Sequence, residues 1–244
     1  MNIRVATFNI QHGRRHDLPG DVIDLPLMAR HAAKIRADVF GFNEVRRGVG
    51  ISDPAFPDTP ALFRDMLGAE TIFGKAISLG DHKEYGNMLV SRLPVICSEV
   101  YPIPDPAESE KRSGFEPRCI IRAVIDAGGC PVTVLSTHFG LTPEERRNAV
   151  RTVLSIADET EMPIVLMGDL NAEPDDPVIR DLETVFCDTA KTLGKAGNTF
   201  PSDAPDKRID YIFLRGCRPL EFRTEQKIVS DHYAVAAEIG LAER

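Results

Sequence analysis

Eight residues whose side chains can bind a metal ion or a phosphate group lie beside short apolar runs of this 244-residue sequence. The residues that follow a strand-like run are Asn9, Glu44, His138, Asp169 and Asn171. Those that precede one are Asp210, Asp231 and His232. If the later strands run antiparallel to the earlier ones, all eight side chains meet at one sheet edge, which is where ligands bind in open sheets.

These side chains match the needs of phosphoester hydrolysis. Carboxylate and amide oxygens are hard donors, so the set favours Mg²⁺ or Mn²⁺ over zinc. Mg²⁺ keeps several water ligands and needs only one or two carboxylates, so Glu44 with Asn9 and Asp231 nearby would suffice. The reaction also needs charge neutralisation, an oriented water and help for the leaving group. A cation, two histidines and an Asp–Asn pair supply these parts.

Each residue also has a purely structural explanation. Asn9 could satisfy backbone groups at a strand end, Glu44 could pair with the arginines that follow it, and Asp169 and Asn171 could form an Asx turn. A structural explanation for all eight at once is far weaker, so the set as a whole indicates a functional site. The sequence has no GxSxG motif, Walker A loop or CxxC pair, which leaves serine hydrolases, P-loop hydrolases and zinc ribbons without support.

The elements that would position this set are mostly strands. Apolar and β-branched patterning predicts strands at residues 3–10, 39–42, 87–91, 95–103, 118–126, 131–138, 164–167, 209–214, 219–226 and 232–239. Helices are predicted at residues 27–36, 61–67, 143–159 and 177–183. The clearest helix has Thr142 as N-cap, Pro143 at N1 and Glu145 at N3, which is a capping box. This mix favours layered α/β or α+β packing, with sheet stacked on sheet and helices outside.

Composition limits the class of protein. The formal net charge is -8, with basic residues in scattered pairs, so long nucleic acid is a disfavoured but possible partner. Five dispersed cysteines indicate free thiols, and no apolar segment reaches membrane-spanning length, so we expect a cytoplasmic protein. No linker interrupts the chain, which predicts one domain over residues 1–244. Two proline-rich loops, residues 48–60 and 102–117, are either functional lids or plain surface crossings.

Seven motifs together resemble the endonuclease/exonuclease/phosphatase superfamily, in particular its bacterial metal-dependent hydrolases. They are TFNIQHG (7–13), FNEVR (42–46), YGNMLVSRLPV (85–95), STHFG (136–140), GDLNAEP (168–174), RIDYIF (208–213) and SDHYAV (230–235). The resemblance covers nearly the whole chain. It implies a deoxyribonuclease I-like α+β fold, a four-layer α/β/β/α sandwich of two similar halves.

The resemblance also implies a role for each residue. Glu44 is similar to the family's principal metal ligand, with Asn9 beside it and Asp231 nearby. Asp169 resembles the residue that positions or deprotonates the attacking water, and Asn171 the one that orients the phosphate. His232 paired with Asp210 resembles a dyad that contacts the scissile phosphate or acts as the base, and His138 resembles a second phosphate-binding histidine. Asp169 and the dyad therefore remain alternative bases. Weaker candidates for the site are His12, Asn87, Glu116 and Arg118. For Glu116 and Arg118, a structural ion pair is favoured over a contact with the phosphate.

Three classes of phosphoester are considered as the substrate. A small molecule or lipid headgroup suits the acidic charge best. A nuclease would want a basic groove and aromatic side chains to hold bases, and the chain has no Trp and four Tyr. A phosphatase for polyphosphorylated inositides would want clustered Lys and Arg, and ranks third. A binding module that has lost catalysis is the contrasting class, and the filled set of site residues argues against it.

Overall fold

The computed structural model describes residues 1–195 and 197–241, so residues 196 and 242–244 of the predicted domain lie outside the described residues. The strands are β1 (Asn2–Asn9), β2 (Val39–Gly48), β3 (Glu70–Ser78), β4 (Lys83–Ser91), β5 (Val95–Pro102), β6 (Cys119–Ala127), β7 (Cys130–His138), β8 (Ile164–Asp169), β9 (Cys187–Asp188), β10 (Asp210–Arg215), β11 (Cys217–Glu225) and β12 (Ala234–Leu241). The α-helices are α1 (Leu25–Ile35), α2 (Thr59–Leu67), α3 (Pro143–Asp158), α4 (Pro177–Glu183) and α5 (Thr189–Thr192).

The strands form two six-stranded sheets with matching topology. The first sheet has the order β11-β12-β1-β2-β4-β3 and the second the order β5-β6-β7-β8-β10-β9. At the centre of each is a parallel pair, β1–β2 or β7–β8, and the neighbours of each pair are antiparallel to it. A helix, α1 or α3, connects the two strands of each pair. The two predicted halves are therefore present.

Three apolar cores separate four layers. The core between the sheets contains Val5 and Val134, among others. A second core joins the first sheet to α1 and α2, and a third joins the second sheet to α3 and α4. Successive strand side chains point to opposite faces, so Val5 faces the other sheet while its neighbour Ala6 faces the helices. The predicted α/β/β/α sandwich is confirmed.

The four predicted helices and most predicted strands are present; α3 and α4 begin at the predicted residues, whereas α1 and α2 each begin two residues earlier. The capping box of α3 is present: the Thr142 hydroxyl accepts from the Glu145 N–H, and the Glu145 carboxylate accepts from the Thr142 N–H at 2.7 Å. Strand β3 was not predicted. Its side chains are mostly half-buried, so apolar and polar residues do not alternate clearly along it. Gly74 interrupts the strand pattern further, and its lack of a side chain leaves room for Ile121 of the other sheet. Among the described helices, none is long and apolar enough to cross a membrane.

Candidate active site

Strand register brings the predicted residues to one edge of the sandwich. In the second sheet Asp169 pairs with His138 on the parallel strand β7 and with Asp210 on the antiparallel strand β10. In the first sheet Asn9 on β1 pairs with Asn43 on β2. The assumption that the later strands run antiparallel to the earlier ones is correct, because β10 opposes β8 and β12 opposes β1.

A β-bulge presents Glu44. The pairing of β2 with β4 shifts between Phe42 and Val45, and Glu44 inside this bulge has φ of 59°. Left-handed backbone is uncommon for residues other than glycine, and bulges next to active sites re-aim side chains. Asn171 also has positive φ, 47°. Two of the predicted site residues thus have strained backbones of the kind that functional sites retain.

The side chains line one open cleft of about 810 Å³. The predicted residues that line it are Glu44, His138, Asp169, Asn171, Asp231 and His232. Asn9 connects two of them, because its Nδ2 donates to Glu44 Oε1 at 3.0 Å and to Asp169 Oδ2 at 3.1 Å. Residues from both sheets therefore share a single site.

Asp169 is the centre of the cleft's hydrogen-bond network. Its Oδ2 lies 3.5 Å from His138 Nε2 and 3.6 Å from His232 Nε2, and its Oδ1 accepts from the Asn171 N–H at 2.9 Å. Burial, reinforced by the Asp210 charge, raises the pKa of Asp169 to about 7 despite the opposing charge of His232. A carboxylate with such a pKa exchanges protons readily near neutral pH.

His232 is held as a cation by two carboxylates. Its Nδ1 donates to Asp210 Oδ2 at 2.8 Å, and Thr199 Oγ1 donates to the same oxygen at 2.5 Å. Burial alone would lower the pKa of His232, but Asp210 and Asp169 outweigh it and raise the pKa to about 10. The imidazole is therefore protonated at neutral pH, and the ring of Phe200 packs against it with centroids 4.8 Å apart.

His138 has the opposite protonation state. Burial, together with the charges of Arg118 and His232, lowers its pKa well below the usual value, so the ring is neutral. Asn171 Nδ2 lies 3.0 Å from His138 Nε2 and also donates to the Phe139 carbonyl at 2.9 Å. The second bond fixes the amide orientation, so His138 Nε2 is the acceptor and Nδ1 carries the proton.

The donor set fits a divalent cation. Burial raises the pKa of Glu44 and the nearby charge of Asp231 raises it further, against the hydrogen bond from Asn9 and the charge of His232, so a cation bound beside these two carboxylates would be stabilising. Seven carboxylates and four Lys or Arg side chains line the cleft. Asn9 Oδ1 already accepts from the Gln11 N–H at 3.0 Å, which leaves one lone pair. Asp169, Asp210 and His232 also offer atoms within 4.8 Å of one another, but the Asp210–His232 hydrogen bond occupies two of them.

The comparisons with known proteins identify the family of this chain. The sequence profile of the Endonuclease/Exonuclease/phosphatase family matches residues 6–232. The chain belongs to this family. Its members hydrolyse phosphoric esters, so this Endonuclease/Exonuclease/phosphatase protein is assigned to that class of hydrolase. A comparison with curated proteins finds no match.

Solved structures of this family share the fold. The endonuclease/exonuclease/phosphatase from Beutenbergia cavernae has 26% identity and a TM-score of 0.80, over 99% of this chain and 72% of that one. That from Bacteroides vulgatus has 20% identity and a TM-score of 0.77, over 99% and 100%. A Bacteroides thetaiotaomicron mannosyl-6-phosphatase has 16% identity and a TM-score of 0.77, over 97% and 99%.

Sequence reasoning missed several residues of this family member's site. Asn43 is buried beside Glu44, Tyr85 lines the cleft together with Glu44, and the Thr199 hydroxyl donates to Asp210. The cleft is also lined by Arg146 and Lys207. The position of Asn43 beside Glu44 in FNEVR was a usable signal. Thr199 gave none, because its partner is eleven residues away on another element.

The weaker candidates have different outcomes. His12 lines a neighbouring pocket together with Glu44. Asn87 lies behind the site, where its side chain contacts Asn43 and the Cys119 carbonyl. Glu116 and Arg118 line the cleft and form the expected ion pair at 2.9 Å. Of the two proline-rich loops, residues 102–117 supply part of the cleft wall through Arg112 and Glu116.

Proposed function

We propose that this protein is a Mg²⁺- or Mn²⁺-dependent phosphoesterase that hydrolyses a phosphodiester or phosphomonoester of a small molecule or a lipid headgroup. One observation carries the proposal: buried Asp169 lies between a cationic His232 and a neutral His138, and Asn9 joins it to Glu44. A cation, a proton acceptor and a carboxylate site for a metal are then within reach of one phosphoryl group.

Glu44 and Asp231, with Asn9, would hold the metal ion. A bound divalent cation supplies charge neutralisation at the phosphoryl oxygens. Glu44 is suited to this because the bulge presents it to the cleft and its Oε1 accepts a hydrogen bond from Asn9 at 3.0 Å. Carboxylates are hard oxygen donors, which favours Mg²⁺ or Mn²⁺.

Asp169 is the better of the two candidate bases. A general base must be unprotonated when it acts, and its pKa should lie near the working pH. The pKa of about 7 meets this condition for Asp169, whereas His232, with a pKa of about 10, already carries its proton. Asp169 would therefore accept the proton of the attacking water.

His232 would donate a hydrogen bond to the phosphoryl group, and His138 and Asn171 line the cleft beside it. The Nε2–H of cationic His232 is free to donate to a phosphoryl oxygen, while Asp210 holds the ring in place through Nδ1. Charge-assisted hydrogen bonds of this type are roughly twice as strong as neutral ones. Asn171 lines the cleft and hydrogen-bonds the His138 ring, so these two side chains move as a unit.

The cleft charge supports a small substrate. Carboxylates outnumber Lys and Arg side chains in the lining, seven to four, and Glu173 and Asp175 are exposed on the rim. A long polyanion would be repelled there, whereas a single phosphoester beside a bound cation would not. The mannosyl-6-phosphatase with the same fold is a further argument for a small-molecule phosphate. Action on DNA or RNA is the alternative.

The proposal also includes a single domain and a cytoplasmic location for this chain. One domain over residues 1–244 is supported by a site that takes residues from both sheets, between Asn9 and His232. A cytoplasmic location is supported by five free cysteines, because extracellular proteins commonly pair them.

The test is turnover of p-nitrophenyl phosphate and bis-p-nitrophenyl phosphate with Mg²⁺ or Mn²⁺, with and without chelator. We expect metal-dependent hydrolysis that Asp169→Asn and His232→Gln each reduce by about 10²–10⁴-fold. Asp158→Asn, at an exposed position of α3, is the matched control and should retain the parent rate.

The substrate assignment is tested with a panel of sugar phosphates, lipid headgroup esters, DNA and RNA under the same conditions. Faster turnover of DNA or RNA than of any small ester would replace the proposed substrate class with a nuclease. A folded protein that binds Mg²⁺ but hydrolyses none of these esters would be a binding module, and the enzyme proposal would be wrong.

A further inference from the structure

A second pocket opens from the catalytic cleft on the far side of Glu44. It has a volume of about 350 Å³ and shares Glu44, Tyr85 and Glu116 with the cleft. A bound ligand whose phosphoryl group lies in the cleft can therefore extend past these three residues into the second pocket. The volume is at the lower end of the range for small-molecule sites, roughly 300–1,000 Å³.

The walls of this pocket are largely apolar and lack packing partners in the core. They are formed by Ile77, Leu79, Phe115 and Pro117. Leu79 is 48% exposed, and Ile77 and Phe115 are only half-buried. None of the four belongs to the apolar cores that the described residues form. Apolar side chains gathered beside a catalytic carboxylate, and not needed for the fold, indicate a ligand contact.

The polar groups of the pocket do not favour a second anion. Two carboxylates, Glu44 and Glu116, form its boundary with the cleft, and the imidazole of His12, whose pKa burial lowers to about 4, adds a neutral polar group. The Arg46 Nη1 donates to the Ala55 carbonyl at 3.1 Å, and its Cζ lies 5.0 Å from the centroid of the Phe56 ring, so the two carboxylates outnumber this one cation. An uncharged group is therefore the best match.

We propose that this pocket binds the alcohol part of the substrate ester, and that this alcohol is a small uncharged hydrocarbon or aromatic group. The inference rests on the proposed function, because it places the phosphoryl group at Asp169 and His232. Among small-molecule and lipid-like phosphoesters, the pocket would favour those whose alcohol is apolar next to the phosphate.

The experiment measures binding, so that it does not depend on turnover. Dissociation constants of methyl-, butyl- and hexylphosphonate are determined by calorimetry in the presence of Mg²⁺. Burial of each added methylene group should tighten binding by about two- to fourfold. Leu79→Asp, which puts a charge in the pocket, and Phe115→Ala, which removes a wall, should each abolish this dependence on chain length. Ile96→Asp, on the exposed side of β5 and 59% exposed in the parent, should preserve it.

The outcomes separate the two proposals. Equal affinity for methyl- and hexylphosphonate in the parent protein, or a chain-length dependence that survives both pocket variants, would overturn the pocket assignment. Absence of phosphonate binding would overturn it as well. If the chain-length dependence is found while the nitrophenyl esters are not hydrolysed, the pocket stands and the catalytic proposal falls.

Discussion

The side-chain oxygen of Asn43 accepts a hydrogen bond of 3.0 Å from the backbone N–H of Asp169, and this bond joins the two sheets beside the candidate active site. The Asn43 Nδ2 donates to Asn87 Oδ1 at 3.0 Å and to the Thr137 carbonyl at 2.8 Å. Asn43 is fully buried, so no water competes for these bonds. The side-chain amide of Asn43 thus sets the position of Asp169 relative to Glu44, which follows Asn43 in the sequence.

Replacement of Asn43 by Leu, which has a similar volume, should affect both stability and activity. It leaves the Asp169 N–H and the Asn87 side-chain oxygen without these partners and removes a hydrogen bond from the Thr137 carbonyl, and each unsatisfied buried group costs about 1–3 kcal/mol. We expect a lower free energy of unfolding, by at least about 2 kcal/mol. We also expect a tenfold or greater loss of kcat, measured well below the melting temperature.

A purely structural role for Asn43 would change stability without changing the chemistry. The distinguishing measurement is the pH dependence of kcat, because a displaced Asp169 should titrate at a different pH. Asn2→Leu, at an exposed position of β1, is the control. A pH profile identical to that of the parent would show that Asn43 does not position the base.

The Asp210–His232 pair gives a prediction about charge. Asp210→Asn removes the main attraction that raises the pKa of His232 to about 10, so this pKa should fall and the imidazolium should be lost at a lower pH. A group whose pKa is raised in the folded state stabilises the protein below its unfolded pKa, near 6.5, and loses this effect as pH approaches 10. The stability difference between parent and variant should therefore be largest near pH 6, shrink as the pH rises from 6.5 toward 10, and be smallest above pH 10.

NMR titration of the His232 ring measures this shift directly. Asp203→Asn, which alters the surface pair of His16 and Asp203 at 3.3 Å, is a matched control and should leave the His232 titration unchanged. An unaltered His232 pKa in Asp210→Asn would mean that the dyad does not hold the charge.

The positions of most site residues could be predicted because the same property determines both strand and site. The inner parts of buried strands are mainly apolar, so Asp169 and His138, the last residues of β8 and β7, mark the sheet edge where a ligand can be reached. The helix start at Pro143 could be predicted because a capping box is local, with all its partners within three residues.

The features that could not be predicted from the sequence depend mostly on contacts between residues far apart in the chain. The bonds of Asn43 reach residues 94 and 126 positions away, and no local pattern encodes them. The bulge at Glu44 is defined only by the register of β2 against β4. Strand β3 escaped prediction because its half-buried residues do not alternate clearly between apolar and polar. Opposite protonation of the two histidines likewise follows from burial and neighbouring charges, not from residue type.

Glu44→Gln tests the metal site without measuring activity. Burial and the charge of Asp231 raise the pKa of Glu44, so the ionised carboxylate destabilises the metal-free protein at neutral pH. The neutral amide should therefore raise the melting temperature of the metal-free protein while abolishing the further increase that Mg²⁺ or Mn²⁺ causes in the parent. Glu70→Gln, at an exposed position of β3, should change neither. A metal-induced shift of the parent size in Glu44→Gln would exclude Glu44 as a principal ligand.

His31 predicts how the fold responds to acid. It lies in α1 with its ring packed edge-on against Phe8, centroids 5.6 Å apart, and its Nε2 is buried with no hydrogen-bond partner among the described residues. Burial is the main cause that lowers the pKa of His31, so below pH 6.5 the unfolded chain binds a proton that the folded protein does not. Stability should therefore fall as the pH drops below 6.5. In His31→Leu this loss between pH 8 and pH 5 should be smaller by about 1 kcal/mol, measured by urea unfolding at both pH values.

His82→Asn, at an exposed hairpin position, should lose as much stability as the parent. An equal loss in His31→Leu would show that the buried imidazole does not contribute to acid sensitivity.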